Sequence, residues 1–336
     1  MIELVDIAHA QELDEYVMQN ETCHFMQTSL WGKVKRSWGW YGLICRDDSG
    51  KVVGTMALLR HDLRFGNRCL LYAPCGPIFD DERAFRELTE EAKKLAGSIH
   101  AYILRMDPCI PEEDKEFPKL AAELGFSLDR ASDFSLFQPR CVYLLDLNGL
   151  TPETLMAGYH TSTRRNVRIA QRKGVEVCHG TLDDLPDFCR MMEQVAKKNG
   201  FTPRSETYFR EFLTGMGQYA TLYLAKLDGK TIGATISTIM GNRSCFMYSC
   251  SDQSCLAFRP NEILQYQMQC DALKAGCRWF DFRGVEGYPT EDNPHYGLHT
   301  YKAGFGAYFC AYEGQFDYVL RPGTVKLLSV LSKFIH

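Results

Sequence analysis

The sequence predicts a mixed α/β (α+β) fold that is built twice along the chain, and two observations predict it. First, the stretch Ser49–Thr55 (SGKVVGT) recurs as Asp228–Ala234 (DGKTIGA). Each copy stands between two β-rich runs, which is typical of a hairpin with a glycine-containing turn. Second, both hairpins are followed by a helical pattern and then by an apolar strand. A repeated order of elements indicates two domains of the same kind.

The predicted elements after each hairpin run in the same order. The helical patterns cover residues 81–95 and 261–275, and the strands that follow cover 101–104 and 279–282. Gly97 and Gly276 stand where glycine commonly ends a helix. We place the join just before a new helical segment, so the predicted domains span 1–147 and 148–336, the second with a C-terminal extension.

Composition excludes several classes of protein. Hydrophobic residues make up 45% of the 336 residues and charged residues 24%, which excludes a disordered or collagen-like chain. No apolar run reaches the ~18 residues of a membrane-spanning helix, and residues 1–6 lack the features of a signal peptide, so a cytoplasmic protein is expected. The fourteen cysteines include no C-x-x-C spacing. They predict reduced structural thiols and no metal site.

A basic segment is the strongest sign of a partner. The net charge is −4, so a nucleic-acid partner requires a local patch. No acid occurs between Glu153 and Glu176, and this gap holds Arg164, Arg165, Arg168, Arg172 and Lys173. At 3.6 residues per turn, Arg165, Arg168 and Arg172 share one helix face. That face is either a solvated surface or a contact for the phosphates of RNA or a nucleotide, and we favour phosphate contact.

Two further segments carry candidate anion ligands. Residues 25–36 predict an amphipathic helix in which Lys33 is either a surface lysine or an anion ligand at a pocket mouth. In the second segment, Pro203 favours an extended Thr202 and leaves Arg204 available for bidentate phosphate binding. Ser205 is also a candidate helix cap, with Tyr208 as the third helical residue.

Glycines and aromatic residues are densest in residues 280–287 and 296–306. Lys302 lies among them as a poorly hydrated cation, suited to hold a phosphate or a developing oxyanion. Asp107 follows the strand 102–106 and is the best candidate for a general base, although an Asp-Pro turn explains it equally well.

The unit of hairpin, helix and strand with a Gly-Lys turn resembles the N-acetyltransferase (GNAT) fold. That superfamily usually binds a pyrophosphate with a glycine-rich loop at a helix N-terminus. Residues 258–262 lack those glycines, and residues 72–78 are too rich in proline for the same loop. Acetyl-CoA binding is therefore disfavoured.

Several motifs together resemble the FemABX family of non-ribosomal peptidyltransferases. They are Phe25-Met26-Gln27, Trp31-Gly32-Lys33, Tyr72-Ala73-Pro74-Cys75-Gly76-Pro77, Thr163-Arg164-Arg165-Asn166, Tyr296-Gly297-Leu298 and Tyr301-Lys302-Ala303-Gly304-Phe305-Gly306. The resemblance implies tandem GNAT-like domains, aminoacyl-tRNA as donor, and a stem-peptide amine of UDP-N-acetylmuramoyl-pentapeptide or lipid II as acceptor. Residues 185–217 are compact, so the coiled-coil arm of many members is expected to be absent. Armless members favour the soluble UDP-linked acceptor.

The resemblance also implies roles for single residues. Lys33 and Arg204 would bind the pyrophosphate, and Tyr301 and Lys302 would lie at the acyl-transfer site. Asp107 would lie near the acceptor amine. The muramyl-peptide channel would be lined by Tyr102, Thr202, Tyr208 and Tyr248. Arg283 departs from the family pattern, which usually has a small residue there.

No cofactor is expected, and the chain is expected to be a monomer. Two alternative functions stay open: an acyl-CoA-dependent N-acyltransferase, and a non-catalytic module that binds tRNA or a nucleotide. The apolar run Val325–Leu331 is expected to pack on the protein body, with peripheral contact to the inner membrane face as the alternative.

Overall fold

The computed structural model describes residues 1–64 and 66–332, and the chain divides into two compact units. The first unit comprises Met1–Arg140 together with the chain from Ala311 onward, and the second comprises Cys141–Cys310. Each unit holds one large sheet with helices. The predicted mixed α/β fold, built twice, is thereby confirmed.

In the first unit a sheet is ordered β1-β2-β3-β4-β6-β15-β7, with β5 paired to β3. Its elements are β1 (Ile2–Val5), α1 (Gln11–Gln19), α2 (Ser29–Val34), β2 (Gly39–Arg46), β3 (Val52–Asp62), β4 (Cys69–Ala73), β5 (Ile78–Phe79), α3 (Glu82–Ser98), β6 (Ala101–Met106), α4 (Phe117–Glu123), β7 (Ser127–Asp129), β15 (Gln315–Val319) and α11 (Pro322–Ser332). Strands β4 and β6 run parallel because α3 crosses between them. Helix α3 buries Phe85 and Leu88 in a core with Leu58, Leu71 and Leu104.

In the second unit the sheet is ordered β14-β8-β13-β12-β11-β10-β9. Its elements are β8 (Cys141–Asp146), α5 (Pro152–Gly158), α6 (Thr161–Arg172), β9 (Glu176–His179), α7 (Leu185–Asn199), α8 (Glu206–Met216), β10 (Ala220–Leu227), β11 (Lys230–Met240), β12 (Arg243–Ser251), α9 (Pro260–Lys274), β13 (Trp279–Val285), α10 (Tyr296–Ala303) and β14 (Tyr308–Ala311). Helix α9 links the parallel pair β12 and β13, as α3 links β4 and β6.

The two hairpins show the duplication in detail. The pairing of β2 with β3 shifts register between Cys45 and Arg46, and the pairing of β10 with β11 shifts at the matching place, between Ala225 and Lys226. In the second hairpin Asp228 and Gly229 both have positive φ, which is the two-residue turn that was predicted. The first hairpin closes through the longer connection 47–51, where the Asp47 N–H donates to the Lys51 carbonyl at 2.9 Å.

The two predicted helix-ending glycines behave differently. Gly276 directly follows Ala275, the C-cap residue of α9, and has φ of +78°, as predicted. Gly97 lies inside α3, so the prediction there was wrong. The left-handed residue after α3 is His100, with φ of +60°. The helix therefore runs further than the glycine suggests.

The division of the chain differs from the predicted boundary at 147/148 in two places. Strand β8 pairs antiparallel with β13 and so belongs to the second unit. Strand β15 pairs with β6 and β7, which returns the last part of the chain to the first unit. Strand β8 is visible in the sequence as an apolar run, whereas β15 alternates polar and apolar residues. The partners of both strands are distant in sequence.

None of the helices within residues 1–64 and 66–332 combines the length and the apolar character needed to cross a membrane.

Candidate active site

In the first unit Asp107 is held by two donors. Its Oδ1 accepts a hydrogen bond from the Cys75 N–H at 2.6 Å, and its Oδ2 accepts one from the Tyr72 hydroxyl. Burial, together with the charge of Asp107, raises the pKa of Tyr72 well above its usual value. The phenol therefore stays protonated and remains a donor. These contacts fix the position of the carboxylate just after β6.

The loop that supplies Cys75 is braced by a buried amide. Gln27 Nε2 donates to the carbonyls of Ala57 at 3.1 Å and Pro74 at 2.8 Å, and Gln27 Oε1 accepts from the Ala57 N–H at 2.9 Å. A Cβ at Gly76 would lie 2.1 Å from Gln27 Cδ, so only glycine fits there. The structure thus explains why a glutamine and a glycine from two separate motifs occur together.

Tyr102 and Lys33 lie elsewhere in the first unit. Half-buried Tyr102 packs against a cluster that contains Tyr72, the partner of Asp107. Lys33 projects into solvent from α2, whose residues Trp31 and Val34 are buried. Within residues 1–64 and 66–332, no carboxylate forms an ion pair with Lys33. The amphipathic helix predicted for residues 25–36 is present over Ser29–Val34. The anion-ligand role of Lys33 stays a prediction.

In the second unit the predicted residues of the 202–208 segment and Tyr248 come together. The hydroxyls of Tyr208 and Tyr248 are 2.8 Å apart, and the Arg204 guanidinium lies 5.4 Å from the centre of the Tyr208 ring. Ser205 Oγ accepts from the Tyr208 N–H at 3.2 Å, which is the predicted helix cap. Burial raises the pKa of both tyrosines, while Arg204 opposes the shift. Exposed Thr202 lies in the coil before Arg204.

Lys302 is almost fully buried at 3% exposure, and its ammonium is surrounded by carbonyls. Nζ donates to Phe282 at 2.7 Å, to Arg283 at 2.9 Å and to Gly284 at 2.7 Å. Burial lowers the pKa of Lys302 to about 7, and the nearby Asp281 carboxylate opposes this decrease. All three ammonium hydrogens are engaged. The predicted contact with an oxyanion therefore requires one carbonyl to be exchanged for the ligand.

The carbonyls that surround Lys302 belong to an irregular stretch of β13. Arg283 has φ of +59°, and the pairing with β8 shifts register between Asp281 and Gly284. Fully buried Asp281 accepts from the Arg283 N–H at 2.6 Å and pairs with Arg243 at 3.3 Å. Sequence analysis did not single out Asp281 or Arg243, because an acid and a base on separate strands become a pair only once the strand order is known.

The five cations of the basic segment divide into two groups. Helix α6 buries Thr163, Val167 and Ala170. Arg165, Arg168 and Arg172 lie on the opposite face, exposed and without an ion pair in the described part of the chain. The other two bind neighbouring backbone: Arg164 donates to the Ala157 carbonyl at 2.8 Å, and Lys173 donates to the Ala257 carbonyl at 3.2 Å.

Helix α6 is joined to the segment that carries Tyr301 and Lys302. The N–H of His160, the residue before α6, donates to the Gly304 carbonyl at 2.9 Å. Asn166 on α6 donates to Glu262 on α9 at 2.9 Å. Burial, and secondarily the charge of Glu262, raises the pKa of Tyr301 well above its usual value. A Cβ at Gly304 would lie 2.5 Å from Thr163 Oγ1, so this glycine is needed where the α10 segment meets α6.

The helix N-termini that could hold a coenzyme A pyrophosphate are unsuited to it. Asp81 caps α3 by accepting from the Ala84 N–H at 2.8 Å, and Glu82 follows it. Both carboxylates line a cavity of about 490 Å³ in the first unit, so an anion there would meet negative charge. Helix α9 starts at Pro260, which has no N–H, and carries Glu262 in its first turn. The structure therefore adds electrostatic reasons to disfavour acyl-CoA.

Curated relatives match almost the whole chain. A lipid II:glycine glycyltransferase of Staphylococcus haemolyticus is 23% identical, over 95% of this chain and 93% of the relative. The protein of the same name from Staphylococcus aureus strain MRSA252 is 24% identical, with the same coverage. The alignment with the first of them runs over 394 positions against 336 residues in this chain. That relative therefore carries residues without a counterpart here.

Solved structures show the same fold. A crystal structure of FemX matches with a TM-score of 0.90 at 22% identity, over 97% of this chain and 99% of that chain. A tandem GNAT protein from the clavulanic acid biosynthesis pathway matches with a TM-score of 0.55 at 14% identity, over 95% of this chain and 98% of that chain. The predicted tandem GNAT-like fold without an arm is thereby confirmed. The FemAB family itself matches residues 8–236 and 228–333, so the chain belongs to the FemAB family.

Proposed function

We propose that this protein transfers an amino acid from aminoacyl-tRNA to the stem-peptide amine of a peptidoglycan precursor. The observation that carries the proposal is the junction of α6 with the α10 segment, where the His160 N–H binds the Gly304 carbonyl. A cationic face suited to RNA phosphates is thereby fixed to the segment that bears Tyr301 and Lys302. The relatives named lipid II:glycine glycyltransferase support the same reaction class.

In the proposed reaction the acceptor amine attacks the ester carbonyl of the charged tRNA. A carbon–nitrogen bond forms, the carbon–oxygen bond to the ribose breaks, and the ribose hydroxyl leaves with a proton. The ester is already activated, so no covalent intermediate with the protein is needed. Holding both reactants in attack geometry can supply up to ~7–11 kcal/mol of the barrier. Asp107 would take the amine proton and pass it to the leaving ribose oxygen, or that oxygen would take the proton directly.

The assignments for the acceptor belong to the same proposal. Lys33 and Arg204 would bind its diphosphate, and Tyr102, Thr202, Tyr208 and Tyr248 would contact the muramyl peptide. The stacking of Arg204 over Tyr208 supports a fixed guanidinium at that place. Arg204→Ala should therefore raise the KM for the precursor. Arg190→Ala is the matched control, because Arg190 pairs with Asp187 within α7 of the same unit.

Mass spectrometry of the products tests the proposed function. The protein is incubated with a mixture of charged tRNAs, and UDP-N-acetylmuramoyl-pentapeptide and lipid II are supplied in separate arms. The proposal predicts a precursor heavier by one amino-acid residue in at least one arm. Acetylated precursor formed from acetyl-CoA would instead identify an acyl-CoA enzyme. Binding of tRNA without any product would identify a non-catalytic module.

A further inference from the structure

Helix α11 presents apolar side chains to solvent. Leu327, Val330 and Leu331 are 48%, 45% and 38% exposed. Their spacing of three and four residues places them on one face of the helix. Val325 and Leu328 on the neighbouring face are half-buried. The sequence-based expectation that this run packs on the protein body therefore holds for one face of the helix and is wrong for the other.

The charge of the chain segment that contains this helix is one-sided. After Asp317 the sequence contains no acidic residue up to position 336, while Arg321, Lys326 and Lys333 are all basic. Arg321 and Lys326 are exposed. The protein as a whole carries a net charge of −4, so this segment is a local exception. An exposed apolar face beside cations is the pattern of helices that lie in the interface of an anionic bilayer.

We propose that α11 docks this protein on an anionic membrane surface. Leu327, Val330 and Leu331 would enter the boundary between head groups and acyl chains, while Arg321 and Lys326 bind lipid phosphates. A second copy of the chain is a weaker occupant. Three side chains cover far less than the ~800 Å² per partner of a stable interface, and facing copies of a cationic segment repel each other.

The consequence of docking for the choice of acceptor rests on the proposed function. An anchored enzyme meets acceptors that are themselves linked to lipid, so α11 favours a lipid-linked precursor over the soluble one. Membrane binding itself is a separate property, because it can be measured without any substrate.

Vesicle flotation tests the docking. The full chain is mixed with vesicles of phosphatidylcholine alone or with vesicles that also contain roughly 30–40% phosphatidylglycerol, which makes the surface strongly anionic. The wild type should float with the anionic vesicles only, and less so at high salt. The triple variant Leu327→Ser, Val330→Ser, Leu331→Ser should partition about tenfold more weakly. Leu4→Ser is the matched control, since Leu4 is an exposed leucine (54%) of the same unit, and it should float like the wild type.

Two results would overturn the docking. One is equal flotation of the wild type and the triple variant, with thermal unfolding showing that both are folded. The other is a wild-type protein that sediments as a dimer while the triple variant sediments as a monomer, which would assign the face to a second copy. With the soluble UDP-linked acceptor the triple variant should keep the wild-type rate. Flotation without transfer to any acceptor would reject the proposed function and leave the docking standing.

Discussion

The polar side chains proposed for chemistry are held by backbone groups. Asp107 is held by the Cys75 N–H, and Lys302 is held by three carbonyls of β13. Such contacts fix a charge at low entropic cost during the reaction. Both residues were singled out from the sequence because of their neighbours in the chain. Their partners were not predictable, since Cys75 is 32 residues from Asp107 and each carbonyl at least 18 residues from Lys302.

The buried ammonium of Lys302 should make stability depend on pH. Its pKa is about 7 in the folded protein, against 10.5 for an ordinary lysine. Between these values the unfolded state binds more protons, so the free energy of unfolding should rise with pH, by at most about 1.4 kcal/mol per unit. Lys302→Met removes this contribution. Denaturant unfolding of the wild type and the variant at pH 6 to 10 measures this contribution. If the free energy of unfolding changed with pH by the same amount in both proteins, the account would be contradicted.

The tyrosine pair near Arg204 should be coupled energetically. Tyr208→Phe and Tyr248→Phe each remove the 2.8 Å bond between the hydroxyls, so each should lower the free energy of unfolding by about 1 kcal/mol. The double variant should lose less than the sum, because the bond can be lost only once. Tyr219→Phe in the same unit should have no effect, since the Tyr219 hydroxyl makes no hydrogen bond within the described residues. Strict additivity in chemical denaturation would show that the two hydroxyls act independently.

At the scale of elements, local patterns predicted what depends on local sequence. The Ser205 cap of α8 and both hairpins were predicted because capping and turn chemistry involve residues close in the chain. The end of α3 was not, because helix length there follows from packing against the sheet. Helix α6 was predicted as a basic face. Its division into exposed arginines and backbone-bound cations was not, since Ala257 is 84 residues from Lys173.

Gly97 and Gly276 should respond oppositely to substitution by alanine. Gly97 lies inside α3, and a Cβ there would meet nothing within 4 Å. Gly97→Ala should therefore raise the free energy of unfolding by about 0.5–1 kcal/mol. Gly276 has φ of +78°, so Gly276→Ala should lower it by about 1–2 kcal/mol. Equal shifts in the denaturation midpoint for both variants would refute this assignment.

The exposed face of α6 should govern binding of tRNA. Replacing Arg165, Arg168 and Arg172 by Gln should weaken binding and reduce the slope of log K against log salt by about 2–3, one for each lost phosphate contact. Helix stability should change little because all three are exposed. Arg190→Gln on α7 serves as control. Filter binding over a salt series measures the binding constant and its salt slope. An unchanged slope would remove α6 from the RNA contact.

At the scale of the whole molecule, the duplication was predictable and the division of the chain was not. A repeat is visible in sequence because each copy keeps its own order of elements. The membership of β8 and β15 is not visible, since the residues of a strand do not reveal which sheet receives it. The fold is retained at a TM-score of 0.90 with 22% identity. Many sequences therefore satisfy the same pattern of burial and turns.

The most direct test of the proposed aminoacyl transfer is a single-turnover reaction. Transfer RNA charged with a labelled amino acid is mixed with excess protein and a peptidoglycan precursor, and the label is followed through mild alkali. We predict that the label moves to the precursor as an alkali-stable amide, more slowly with the Arg165, Arg168 and Arg172 variant. Label that stays on tRNA as an alkali-labile ester, with both the UDP-linked and the lipid-linked acceptor, would contradict the account.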